Sequence, residues 1–348
     1  MTGRRLALIL AAVGLIVAAA VALGSGQMPA PAIVASMLRT TLQVATPLTL
    51  GALAGLYCER AGVINIGIEG MMLLAAFGGF VAALAAHAAL GDGAVGASLA
   101  IGVAAAVLCG GLAGAFHALL CVTYRVDQII SGTVLNVLAI GLTGYLSRQL
   151  FFQSGMPHAP GVLPTLRLPL LADLPLVGGV FEQQPIALAA LALVALTHVV
   201  LFHTVWGLRA RAVGEHPRAA DTAGIAVARV RWANVVVGGL VAGLAGAYFT
   251  LESVPTFEPL MTNGRGFIAL AAMIFGGWTP LGAWAASLVF GAAQALQINA
   301  QGFGLAVPSQ LVGMLPYLLT MLALAGLAGR TRPPAADGQP YDPHEAQA

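Results

Sequence analysis

Nine apolar runs, at residues 6–23, 35–57, 64–86, 93–121, 128–151, 185–205, 232–250, 281–299 and 308–327, fill more than half of this 348-residue chain. A helix needs roughly 20 such residues to cross the hydrocarbon of a bilayer, and each run meets or approaches that length. Charged residues make up only 8% of the chain, against about 25% in a soluble domain. The mean hydropathy of +0.90 agrees. An all-α polytopic membrane protein is therefore expected. A tenth apolar piece, Phe267 to Phe275, is too short to cross alone, since at 1.5 Å per residue it reaches about 14 Å. Closed by Gly276 and Gly277, it reads as a half-helix and brings the expected membrane segments to about ten.

The charges exclude several functions. The chain has no lysine, so all 15 of its Lys-or-Arg positions are arginines. A Walker-A phosphate loop needs its lysine, so the chain by itself is no P-loop ATPase. A net charge of +2 is too small to suggest a nucleic-acid partner. Cys58, Cys109 and Cys121 stand in or beside apolar runs at no metal-ligand spacing and read as small core residues. His198 and His203, five apart with no glutamate between them, do not form a metalloprotease pair. No metal and no resident cofactor is expected in this chain. Arg4-Arg5 before the first apolar run has the outline of a signal peptide, but no clear cleavage site follows, which favours an uncleaved first helix.

Orientation follows from the arginines. With the N-terminus inside, the inner side holds Arg4, Arg5, Arg60, Arg125, Arg209, Arg211, Arg218, Arg229, Arg231, Arg330 and Arg332. The outer side holds Arg39, Arg148, Arg167 and Arg265. That bias obeys the positive-inside rule and places both termini in the cytoplasm. The organisation expected is a membrane domain over residues 1–329, with an inner loop at 206–231 and an outer loop at 153–184. Proline fixes φ and removes donors, so the Pro-rich outer loop should be extended or irregular. The tail 330–348 has the composition of a disordered end.

Within the apolar runs, G-V-I-N-I-G-I-E-G at Gly62 to Gly70 sets Asn65 and Glu69 among glycines. An interrupted backbone in hydrocarbon survives only where it lines a cavity or is buried in protein, and ionisable residues at that depth usually mark a substrate path. A second break, G-R-G-F at Gly264 to Phe267, follows run 232–250 as the first follows run 35–57. The two sets run in opposite directions, and Gly-interrupted segments in inverted halves point to a transporter's site. Asn65 and Glu69 read either as pathway lining or, for Glu69, as a cap on freed N–H groups at the start of run 64–86. Asn136, in mid-span, reads as interhelical glue or as a lumen-facing amide. Gln43, with Thr46 and Pro47, gives the second span a polar stripe or a kink. Arg265, near Glu252 and Glu258, is an outer gate or an interface ion pair. Glu59 and Arg60 read as an interfacial anchor.

The inner loop contains R-A-V-G-E-H-P-R-A-A-D-T-A-G. Pro217 suits the first position of a helix and Gly224 the position just past its end. A short helix of about seven residues is expected between them, some 10 Å long. It is either a docking element for a soluble partner or a solvated loop helix.

Four ordered stretches together resemble a known family. Glu59 to Met72, Asp127 to Asn136, Arg211 to Ile225 and Gly264 to Ala283 are similar to the permeases of ABC importers for branched-chain amino acids, ribose and nucleosides, and most similar to the nucleoside branch. The resemblance implies a type II importer fold with inverted repeats and broken helices. It also implies an inner-membrane permease subunit without catalysis of its own, paired with a second related permease. Two ATP-binding subunits, which hold the ATP and Mg, and an extracytoplasmic substrate-binding lipoprotein complete that assembly. The inner loop, with Arg211, Gly214, Glu215, His216, Pro217, Arg218, Asp221 and Gly224, is then the coupling element. Gly277 departs from the family, where a basic residue often precedes the tryptophan. Simple sugars and riboflavin-like compounds are alternative cargoes. An ion-coupled secondary transporter is the competing class, since inverted repeats and broken helices serve it equally. An intramembrane enzyme would need a nucleophile and base or a metal cluster within the spans, and the sequence offers neither.

Overall fold

A computed structural model describes residues 11, 13–18, 30–151, 159–167, 169, 178–300, 313–314, 318, 321 and 332–342. Its helices are, in chain order, α1 (Ala30–Arg60), α2 (Ile68–Leu90), α3 (Val95–Ala118), α4 (Gln128–Phe151), α5 (Pro185–His203), α6 (Val205–Glu215), α7 (Pro217–Thr222), α8 (Val227–Ala247), α9 (Arg265–Phe275) and α10 (Pro280–Asn299). Seven of the described helices are long and apolar enough to cross a membrane, and they correspond to the seven runs between 35 and 299. Runs 6–23 and 308–327 lie largely outside the described residues. Arg265–Phe275 is a separate short helix, as its length requires.

Several boundaries follow from local chemistry. Pro47 lies inside α1, and the neighbouring Thr46 hydroxyl donates to the Leu42 carbonyl at 2.8 Å. α3 and α8 both pass into a π-helical turn, at Leu119–Thr123 and Tyr248–Ser253 respectively. Such turns are rare and frequent at functional sites. α5 begins at Pro185, and α10 at Pro280 behind Thr279, whose hydroxyl accepts from the Gly282 amide at 3.3 Å.

Lipid offers no hydrophobic drive between helices, so close contact must come from small residues. α3 and α8 cross where Gly110 and Gly114 face Gly239 and Gly243; a Cβ on Gly114 would lie 2.9 Å from the Val235 carbonyl oxygen. α1 is the central helix: Leu48, Leu50, Leu53 and Leu56 are fully buried. By contrast, α4 exposes Ile129, Ile130, Val134, Val137 and Leu138, a face suited to lipid or a second subunit.

Part of the Pro-rich segment 153–184 is described. Leu166–Arg167 (β1) pairs antiparallel with Glu182–Gln183 (β2), and the Ala159 and Leu163 amides donate to Pro255 and Leu251. Among the other described residues of that segment, 159–165 have no regular structure and Gly178–Phe181 forms a short 3-10 helix.

Composition marks residues 330–348 as disordered, yet 332–342 lie against the α6–α7 loop in extended and turn conformation. The Ala336 amide donates to the Gly214 carbonyl at 2.9 Å, Arg231 Nη1 donates to the Gln339 carbonyl at 2.8 Å, and the Tyr341 hydroxyl donates to Asp221 at 2.8 Å. Composition reports the want of apolar side chains and says nothing of main-chain groups that find partners on neighbouring loops.

Candidate translocation site and coupling loop

α1 stops at Arg60, and the chain turns through Gly62 at φ +81° before running extended to Asn65. The freed backbone groups are then taken up one by one. The Ile64 amide donates to Gln128 Oε1 at 2.6 Å, and the Ile64 carbonyl lies 3.1 Å from His117 Nε2. His117 Nδ1 is 2.9 Å from the Ser131 hydroxyl. Asn136 holds both sides of the break: its Nδ2 donates to the Ile66 carbonyl at 3.0 Å and its Oδ1 accepts from the Gly70 amide at 2.8 Å. The interruption is thus buried in protein, with the Ile64, Ile66 and Gly70 main-chain groups paired. Asn136 acts as glue in this conformation, and it is nearly closed to solvent.

The two glycine breaks meet. Glu69, in the first turn of α2, accepts from the Gly264 amide at 2.8 Å and from the Gly266 amide at 2.6 Å. It caps the N-terminus of α9, where four amides lack helical partners and the dipole favours a carboxylate. The start of run 64–86, now α2, where the sequence suggests this cap, has no side-chain cap of its own. Gly264 stands at φ +77° as the left-handed residue before the helix. Gly266 is needed for the close approach, since a Cβ there would sit 2.7 Å from Glu69 Cα.

The other end of α9 is tied to the same half. Trp278 Nε1 donates to Glu59 at 2.6 Å, and Arg60 Nε donates to the Trp278 carbonyl at 2.9 Å. Glu59 is buried, so the interfacial-anchor reading is corrected: it binds one half of the chain to the other. α9 is held at its start by Glu69 and just past its end by Glu59 and Arg60. At 1.5 Å per residue its 11 residues span about 16 Å between the two fixings.

Beyond the α9 N-terminus opens a cavity of about 470 Å³, lined by Val44, Pro47, Tyr248, Phe249, Glu258, Asn263, Arg265 and neighbours. The Arg265 guanidinium lies over the Phe249 ring at 5.4 Å and donates to the Met261 carbonyl at 3.1 Å. Glu252 is engaged elsewhere: its carboxylate accepts from the Ile186 and Ala187 amides at 2.7 and 3.1 Å, capping α5. Gln43 is half-buried next to the cavity residue Val44. Asn65 is fully buried, its Nδ2 near Cys58 and Met71 sulfurs and its Oδ1 without a partner. So Glu69 and Arg265 come together at the α9 N-terminus and Asn65 and Asn136 stand behind the break, whereas Gln43, beside Val44 in the sequence, does not line the cavity.

At the other end of α9 the loop 206–231 forms two helices, α6 and α7, rather than one. α6 is capped by Thr204, whose hydroxyl accepts from the Gly207 amide at 3.2 Å. α7 starts at Pro217, as its ring geometry suits, and Gly224 follows at φ +82°. His216 stands at the N-cap position but its side chain caps nothing. The loop carries its own small core of Val213, Ala220 and Val227. Arg211 and Gly214 face inward: Arg211 lies over Phe202 at 5.1 Å, and Gly214 packs on the Arg60 carbonyl. Glu215, His216, Arg218 and Asp221 are exposed and Pro217 is half-buried.

The chain's relatives bring this geometry into focus. Residues 37–324 match the family described as the branched-chain amino acid transport system permease component. This chain belongs to that family. Among curated proteins it is 39% identical to the guanosine ABC transporter permease protein NupQ of Bacillus subtilis, over 86% of this chain and 94% of that one. It is 39% identical to the nucleoside ABC transporter permease protein NupC of Lactococcus lactis, over 85% and 93%. It is 38% identical to a putative glucose ABC transporter permease protein, TsgC13, of Haloferax volcanii, over 83% and 85%. The chain is a multi-pass ABC-importer permease subunit, a transport component rather than an enzyme. Its family implies an ATP-binding subunit and a substrate-binding protein as partners.

Sequence reasoning passed over several structural residues of this permease. Trp278, Gln128, His117 and Asp337 each bear on the break or its surroundings. The signal was present for Gln128 and His117, which are polar residues beside or inside apolar runs. For Asp337, in a polar tail, no such contrast exists.

Proposed function

We propose that this permease moves nucleosides across the bacterial inner membrane, in an importer driven by a partner ATPase that holds the ATP and Mg. Both termini lie in the cytoplasm, and the exposed face of α7 receives the ATP-binding subunit. A second, related permease completes the pathway, and an extracytoplasmic lipoprotein delivers the cargo. The chain itself holds no cofactor. The observation that carries this reading is the junction of the two breaks through Glu69 and the Gly264 and Gly266 amides. A displacement of α7 is relayed by the packing of Gly214 on Arg60, and from Arg60 and Glu59 to the turn at Trp278. That moves α9 against the break at 62–70, and inverted halves moving about a shared site give alternating access. Relatives named for guanosine and for nucleosides, at 39% identity over most of the chain, support the cargo.

The test is uptake by the permease pair reconstituted in proteoliposomes with its ATP-binding subunit and receptor. Labelled guanosine or uridine should enter only with ATP and be displaced by other nucleosides. Uptake of glucose alone would overturn the cargo, and uptake without the ATPase would overturn the class.

A further inference from the structure

The tail 332–342 is the feature that the transport reading does not use. It sits where three structures converge. Toward the break, Gly338 packs on Ile64 so closely that a Cβ would lie 2.7 Å from its Cδ1. Toward the α3–α4 connection, Asp342 pairs with Arg125. Toward the coupling loop, the Ala335 amide donates to Glu215 at 3.2 Å, the Ala336 amide to the Gly214 carbonyl at 2.9 Å, and the Tyr341 hydroxyl to Asp221 at 2.8 Å. Tyr341 also packs on the small core of Val213, Ala220 and Val227. Between tail and helix opens a groove of about 470 Å³, with His216, Arg218 and Ala219 on one wall and Gln339, Pro340 and Tyr341 on the other.

A six-residue helix is about 9 Å long. A specific protein interface buries roughly 800 Å² on each partner, far more than one such helix presents. The tail is the adjoining surface, and it is fastened both to the helix and to the break.

We propose that the groove between α7 and residues 332–342 is a docking surface for a segment of the ATP-binding subunit, the tail forming its second wall. This rests on the coupling role of α7. Because the tail is also anchored to Ile64 and Arg125, a load applied in the groove reaches the break directly.

The experiment places a photo-crosslinking amino acid at Arg218 or at Gln339 of the full chain, in the assembled complex. Both positions should give adducts with the ATP-binding subunit. Adducts from Arg218 alone would overturn the docking role of the tail and leave the coupling helix standing. Adducts from neither would overturn both. In the same complex, Tyr341→Ala should weaken association of the ATP-binding subunit about tenfold, through the lost bond to Asp221 and the lost packing. Unchanged affinity would remove the second wall.

Discussion

Glu69 and Gly266 carry opposite kinds of constraint at one point. The carboxylate receives two amides at 2.6 and 2.8 Å, bonds that are charge-assisted and worth more than neutral ones. Glu69→Gln keeps the shape and removes the charge. We expect uptake to fall roughly tenfold while the protein still reaches the membrane, consistent with a loss of about 1.5–3 kcal/mol at a charged bond. Uptake within twofold of the parent would return Glu69 to scaffolding. The neighbouring glycines separate strain from space. At Gly264 a Cβ meets nothing within 4 Å, so Gly264→Ala suffers only from its φ of +77°, about 1–2 kcal/mol. At Gly266 the Cβ meets Glu69 main chain, which cannot yield cheaply. Gly266→Ala should therefore lower the thermal midpoint of the purified protein clearly more than Gly264→Ala. The reverse order would mean that α9 can slide away from α2.

At the scale of elements, the half-helix and both breaks were legible because hydropathy and glycine punctuate them locally. Their meeting was not, because no local signal says that Glu69 reaches across 195 positions to Gly264. From sequence Glu69 reads as pathway lining or as a cap, and a sequence names only the helix nearest in the chain. Glu59 was misread because a charge beside Arg60 at the end of an apolar run has the outline of an interfacial anchor. Its partner, Trp278, lies 219 positions away. The fastening of α9 at that end has a direct test. Trp278→Phe keeps a smaller aromatic ring and deletes the donor, leaving a buried carboxylate oxygen without its 2.6 Å bond. A cost of about 1–3 kcal/mol is expected, read as a lowered thermal midpoint. A midpoint equal to the parent's would show that Arg60 alone holds the turn.

Across the whole molecule, the tail joins the α6–α7 loop, the α3–α4 connection and the break, and its attachment should depend on pH. Burial pushes the Asp337 carboxyl from an ordinary 3.8 up to about 7. The groups facing it are Glu59 on α1, whose hydrogen bond lowers it most, Arg231 on α8 and the Gly338 amide, which lower it further, and the Cys58 thiol on α1; burial outweighs them together. A docked pKa above the free one means that docking takes up a proton. The attachment is thus at full strength below about pH 4, weakens as pH rises, and reaches its weakest above about 7. Hydrogen exchange at the Ala336 amide, which donates to Gly214, reads this attachment. After correction for the intrinsic rate, its protection should be greater at low pH than at high pH across that window. Asp337→Asn carries no ionisable group and should flatten most of the slope. Protection that rises with pH in the parent would reverse the sign and show that Arg231, rather than burial, governs the carboxyl.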